Sequence, residues 1–461
     1  MTSIVRTLAS ALAVAIFAAP AALAPAAFAA DTFPATLAGH AVLPAATFVA
    51  PPADAPADLA VSGKYTAPDA RRVDAVGSVP GSSFLSPKDA PRLTGMATPF
   101  EGQPVQGFSG IKPVGDGSYW VIQDNGFGAK ANSPDAMLIV HRLRPDWKTG
   151  TIAIEETIFL SDPDKVIPYR IATESSDSRY LTGADLDVES IQPVGDGFFV
   201  GDEFGPFLVE FGRDGRAKAF HETMVDGVAV RSPDHPALTT PAVPGGKVAF
   251  TVRRSRGFEG MAASPDGRFL YPLLEGPLWV EAAGAWETVE GKEVLRVLEF
   301  DVEKAAWTGR SWTYPLDVAG NNIGDFNMID ARTALVIERD NNEGIVARAC
   351  AEGDKGPDCF VAPAAFKRVF KIELTDDGRA RKIGSIDLLK IADPDGKARQ
   401  GAEEGVFTFP FVTIEDVAIV DERHIIVGND NNLPFSAGRA PQKQDDNELI
   451  LLAVPELLSA Q

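Results

Sequence analysis

The sequence predicts an all-β fold, and three observations carry that prediction. A hairpin pattern recurs five times along the chain. The segments between its copies alternate apolar and polar residues, as half-buried strands do. The composition, with 42 Gly and 35 Pro in 461 residues, suits turns and short strands better than long helices. Together they predict a single β-propeller: six blades rather than five or seven, closed by strands from both termini.

From the N-terminus, the first 29 residues have the features of a secretory signal. Arg6 supplies the positive charge, Ala11 to Ala24 form an apolar run broken by Pro20, and Ala27-Phe28-Ala29 fits the small-x-small cleavage rule. Within this segment there is one Arg and no Arg-Arg pair, and no Cys directly follows the apolar run to take a lipid. The mature protein, residues 30–461, is therefore expected to be one propeller domain, periplasmic or secreted. No later stretch approaches about 18 uninterrupted apolar residues, so no membrane span is expected. Residues 31–106 are about one blade long, and the Pro/Ala-rich part from Leu43 to Ala60 is expected to wrap the surface.

The five hairpins then open at Gly107-Phe108-Ser109-Gly110-Ile111, Asp187-Val188-Glu189-Ser190-Ile191, Gly257-Phe258-Glu259-Gly260-Met261, Ile323-Gly324-Asp325-Phe326-Asn327 and Thr413-Ile414-Glu415-Asp416-Val417. Their anchors, Ser109, Glu189, Glu259, Asp325 and Glu415, are 80, 70, 66 and 90 residues apart, a spacing that suits blades with insertions. Strands such as Phe207 to Phe211 and Arg368 to Leu374 fill the intervals. Glu448 to Val454 reads as the closing strand. Cys350 and Cys359 are the only cysteines; in an oxidising compartment they are expected to form a local disulfide.

Each hairpin closes on acid or amide: Asp124-Asn125, Asp202-Glu203, Glu275, Glu338-Arg339-Asp340-Asn341 and Asp430-Asn431-Asn432. A tight turn brings the two outer ends of a hairpin together, so opening and closing acids share one edge. Turn preference alone places Asp and Asn at strand ends; recurrence in register argues for a site. Carboxylates this close repel unless protonated or bridged by a cation. Calcium fits, since it takes six to eight oxygens in loose geometry. Its expected ligands are drawn from Asp124, Asn125, Glu189, Asp202, Glu203, Glu259, Asp325, Glu415, Asp430 and Asn431. With five His and none in ligand spacing, zinc is disfavoured.

The formal charge of -21 excludes nucleic acid and anionic membranes as bulk electrostatic partners. A small anionic ester could still bind through a metal or local cations. Arg254, Arg256, Arg339 and Lys130 fall near the acids in sequence and suit phosphate or carboxylate. Gly107-Phe108-Ser109-Gly110-Ile111 is not a nucleophile elbow, because Ile111 stands where Gly is required. Metalloprotease, Walker and dinucleotide motifs are absent.

At these residues the chain resembles the phytase-like family, also described as "esterase-like activity of phytase" proteins. The resemblance is carried by Gln106-Gly107-Phe108-Ser109-Gly110, Thr182 to Ser190, Gly201-Asp202-Glu203-Phe204-Gly205-Pro206, Arg231 to Pro236 and Gly428 to Ser436. It implies a link to calcium-dependent, six-bladed propeller phosphohydrolases. The first expectation is thus a monomeric calcium-dependent phosphoric ester hydrolase, with Glu275 or Glu338 as base and Arg254, Arg256 and Arg339 stabilising the transferring phosphoryl group. The alternatives are a calcium-dependent carboxyl-esterase or lactonase, and a non-catalytic binding propeller with structural calcium.

Overall fold

Residues 31–461 are described by a computed structural model; the predicted signal segment lies outside the described residues. Twenty strands form five four-stranded units. The strand β1 (Thr36–Leu43), from the N-terminal end of the described residues, belongs to the last unit. Sheet I is β2 (Phe108–Pro113), β3 (Tyr119–Gln123), β4 (Ile139–Asp146) and β5 (Thr151–Phe159). Sheet II is β6 (Val188–Val194), β7 (Gly197–Asp202), β8 (Phe207–Gly212) and β9 (Ala217–Glu222). Sheet III is β10 (Phe258–Ala263), β11 (Phe269–Leu274), β12 (Lys292–Asp301) and β13 (Ala306–Pro315). Sheet IV is β14 (Asn322–Met328), β15 (Thr333–Arg339), β16 (Lys367–Leu374) and β17 (Ala380–Asp387). Sheet V is β18 (Ile414–Ile419), β19 (His424–Asn429), β20 (Asn447–Ala453) and β1.

Within each sheet, neighbouring strands run antiparallel. The first strands β2, β6, β10, β14 and β18 lie side by side in that order, and β18 returns to touch β2. Alternation supplies the packing between sheets, because successive side chains leave opposite faces. In β3, Trp120 and Ile122 pack towards Ile191 and Val200 of sheet II. Tyr119 and Val121 pack towards Ala418 and Ile426 of sheet V. Equivalent apolar layers join sheets II and III through Phe199, Met261 and Phe300, III and IV through Leu273, Phe326 and Val336, and IV and V through Ile337, Val369 and Val427.

The described residues do not contain the expected sixth blade. Residues 31–106 are long enough for one, yet only β1, pairing His40 with Ile450 on the outside of β20, and the two residues Asp31–Thr32, pairing with Gly384 and Ser385 on the outside of β17, enter large sheets. The remainder forms three small two-stranded ladders, the longest being Val79–Ser82 with Leu93–Thr98. Pro51, Pro52, Pro56 and Pro68 lack the amide a ladder needs, which keeps this segment from extending into a blade. Cys350 and Cys359 are joined by a disulfide. No helix among the described residues is long and apolar enough to cross a membrane.

Candidate functional site

The opening acids occupy backbone irregularities at one end of the first strands. In sheet II, Val188 pairs with Asp202 and the next pair is Ser190 with Gly201, so Glu189 is skipped. In sheet III the pairs are Phe258 with Leu274, then Gly260 with Leu273, skipping Glu259. In sheet V they are Ile414 with Asn429, then Asp416 with Gly428, skipping Glu415. A residue omitted from the ladder is re-aimed out of the regular pleat. That is why three glutamates can leave apolar strands and converge.

Sheets I and IV deviate differently. The ladder runs from Phe108–Gln123 to Ile111–Val121, and from Ile323–Glu338 to Phe326–Val336. Counted from the paired residue, the position of Glu189 falls on Ser109 in sheet I and on Gly324 in sheet IV. Asp325 is one place further along, level with Asp416. The anchor of the fourth hairpin is therefore Gly324, one residue before the expected Asp325. Gly324 cannot carry a side chain there, because a Cβ would stand 2.6 Å from the Ile414 carbonyl oxygen.

The closing residues form a second set of equivalent positions. Asp124, Glu203 and Glu275 each donate their amide to the residue before the first strand, Gly107, Asp187 and Gly257, all at 2.8 Å. Arg339 pairs with Asn322, and the Asp430 carbonyl accepts the Thr413 hydroxyl at 3.1 Å. Four acids and one arginine thus occupy corresponding places.

These two sets make one buried cluster. Carboxylate oxygens of Asp187, Glu189 and Glu203 lie within 4.8 Å of one another, and so do those of Glu203, Glu259 and Glu275. Glu189, Glu203, Glu259 and Glu275 are only 4–8% exposed. One oxygen each of Asp187, Glu203, Glu259 and Glu275 has no hydrogen-bond partner among the described residues. An unpaired buried carboxylate oxygen costs several kcal/mol, so this donor set fits a hard divalent cation with oxygen ligands. Burial, followed by the charge of neighbouring acids, raises Glu189, Glu203, Glu259 and Asp430 well above the usual carboxylate range. Asp124 is half-buried and is pushed up to about 7, first by burial, against an amide bond from Gly126.

Two arginines hold the cluster from one side. Arg339 donates to Glu415 at 2.5 Å and lies 3.9 Å from Glu259. Arg256 is bonded to Glu275. Attraction to Glu275 first, and to Glu203, raises the Arg256 guanidinium despite burial. Burial opposes the charge of Arg339, but Glu415, Glu275 and Glu259 outweigh it. Ser109 donates to Glu415 at 3.3 Å.

Other expected residues lie elsewhere or are already engaged. Glu338, expected as a base, accepts bonds from Tyr314 at 2.9 Å, Asn321 at 2.9 Å and Lys382 at 2.5 Å, because its ladder position turns it between sheets. Asp325 binds Lys112 at 3.0 Å and Asn327 at 2.8 Å. Arg254 is 61% exposed and pairs with Asp234. Asp202 accepts the amides of Asp187 and Gly205, both at 2.7 Å, and so shapes the turn. Asn125 accepts the Gly128 amide at 2.8 Å, and Asn431 is buried with both side-chain polar atoms unpartnered. Asp187 was missed. Its signal was present, as the only acid at the position that is Gly107, Gly257, Asn322 or Thr413 in the other hairpins.

Comparison with solved structures gives similarity at low identity. The luciferin-regenerating enzyme matches with 10% identity over 77% of this chain and 94% of its own, at a TM-score of 0.31. The periplasmic gluconolactonase of Pseudomonas aeruginosa matches with 12% identity over 82% and 99%, at 0.29. Regucalcin, a calcium-binding protein of Agrobacterium tumefaciens, matches with 11% identity over 76% and 92%, at 0.29. No curated protein matches the sequence. The family model described as "Esterase-like activity of phytase" matches residues 103–433, a span that holds all five first strands and every acid of the cluster. The chain belongs to the phytase-like family.

Proposed function

We propose that the chain is a calcium-dependent hydrolase of phosphoric esters, periplasmic or secreted, working at the carboxylate-lined mouth of a five-bladed propeller. The observation that carries this reading is the group of buried carboxylate oxygens without partners beside two arginines. Family membership supports the hydrolase class. The disulfide supports an oxidising compartment.

Asp187, Glu189, Glu203, Glu259 and Glu275 would hold the cation. Bound there, calcium would offset their mutual repulsion and present positive charge to an ester oxygen. Arg339 fixes Glu415 and limits its reach towards the cation. Arg256 does the same for one oxygen of Glu275. Asp124 keeps an oxygen free beyond its turn bond, is partly exposed and titrates near neutrality, so it is the proposed proton acceptor in place of Glu338.

A second reading rests on those same arginines. Both are paired with carboxylates, so neither offers a free fork to phosphate. A carboxylic ester or lactone, which needs only a polarised carbonyl, would suit such a site. Phosphate release from phytate and an aryl phosphate, with calcium and with chelator, separates the two. Calcium-dependent release that Glu259→Gln abolishes supports the first. Release that survives chelation or Glu259→Gln refutes it, and turnover of acyl esters or lactones alone moves the assignment to the second.

A further inference from the structure

A cavity of about 330 Å³ lies against sheet II, between β8, β9 and the connection from β5 to β6. Its volume is at the lower end of the range for small-molecule pockets. Tyr169, Phe207 and Phe220 form one wall, with ring centroids 4.5 to 5.9 Å apart. Ile171 and Leu186 complete an apolar lining. His235 packs on the outer side of the Tyr169 and Phe207 rings, at 5.6 and 5.0 Å.

The lining also carries charge of one sign. Lys130 and Arg170 border the cavity, and neither forms an ion pair among the described residues, in a chain of net charge -21. Lys130 reaches only the Asp234 carbonyl at 3.2 Å and sits 5.4 Å from the centre of the Phe204 ring. The one acid in the lining, Asp185, is taken up by the Ala172 and Thr182 amides at 2.7 and 2.8 Å. The cavity thus offers an aromatic wall and two cations without carboxylate partners.

Its lining residues adjoin the carboxylate cluster along the chain. Ala184, Asp185 and Leu186 run directly into Asp187, and Phe207 follows Glu203 across Phe204-Gly205-Pro206. We propose that this cavity binds the organic part of the ester, a compact aromatic or alicyclic group that bears its own anionic substituent. The ring would lie on Tyr169, Phe207 and Phe220, and the anion would face Lys130 and Arg170. The word ester rests on the function proposed above; the binding itself does not.

The test uses the full mature chain with 1-naphthoate as fluorescent probe, in chelator and in calcium. Saturable binding in both conditions is expected, weakened about tenfold or more in Lys130→Glu and in Arg170→Glu, as for loss of a charge-assisted contact. Uncharged 1-naphthol should bind more weakly than 1-naphthoate. No saturable binding, or binding that neither substitution changes, overturns the proposal. Binding that follows this pattern in a protein that releases no phosphate from a naphthyl phosphate bearing a ring carboxylate, in calcium, keeps the cavity and removes the phosphoric ester reading instead.

Discussion

Stripped of divalent cations, the protein should be more stable in mild acid than at neutrality. Asp124 has its carboxyl held up to about 7, first by burial, against an ordinary 3.8. Between these values the folded state keeps the proton and the unfolded chain has lost it. The folded state therefore binds more protons, and stability falls as pH rises from about 4 to about 7. At about 1.4 kcal/mol per unit, flattening as the group ionises near 7, the step from pH 5 to 7 costs about 2 kcal/mol at Asp124 alone. Glu189, Glu203, Glu259 and Asp430 shift in the same direction and add to it. A chain of this length unfolds with about 2 cal/mol/K of entropy per residue, so about 2 kcal/mol moves the melting temperature by about 2 °C. Glu448 works the other way. Against its own burial, Arg439 and His40 hold it down at about 2, so its stabilisation is complete above about 4.5; His141 and His235, which burial holds down to about 3 and about 4, do act between pH 5 and 6.5 and offset part of the fall. The assay is thermal melting in chelator at pH 5, 6 and 7, repeated with calcium. Calcium should raise the melting temperature most at pH 7 and flatten the slope, since ligands bind ionised. A chelated protein whose melting temperature stays level or rises from pH 5 to 7 would refute the reasoning.

Three further outcomes follow from particular contacts. Arg339→Met removes the partner of Glu415 and should cost about 3–5 kcal/mol in urea unfolding in chelator, the range for breaking a buried ion pair; calcium should recover part of the loss. Glu338→Gln weakens the bond to Lys382 and should lower stability by about 3 kcal/mol, yet leave turnover per folded molecule within about twofold, whereas Glu259→Gln abolishes it. The double replacement of Cys350 and Cys359 by Ser should cost about 2–3 kcal/mol by the loop-closure estimate without changing metal affinity, measured by calcium titration.

Much of this architecture was legible in the residues. Alternation located the strands of the five sheets, and the acids at Glu189, Glu203, Glu259 and Glu275 were singled out before their proximity was visible. What escaped was backbone geometry. An omitted ladder residue leaves no mark on composition, so Asp325 was aligned with Glu415 although Gly324 holds the equivalent place. Glu338 and Arg339 are consecutive and both are expected at the site, but a strand sends neighbours to opposite sides, and only Arg339 reaches the cluster. Length alone does not make a blade of residues 31–106, because the prolines there lack the amides a ladder needs.

The pairing of β1 with β20 has a consequence for the order in which the molecule is made. Sheets I to IV each draw their main strands from one continuous stretch and can form as the chain lengthens. β1 is synthesised before all of them, yet its partner His40–Ile450 contact waits for the last strand. Through that interval β1 has only single pairings, Val42 with Thr151 and Thr36 with Ala392, so most of its edge stays open to pairing with other chains. A premature stop anywhere before Asn447 would leave this condition permanent. Truncation at the C-terminus should therefore send the product into aggregates even where every residue of the carboxylate cluster has already been translated.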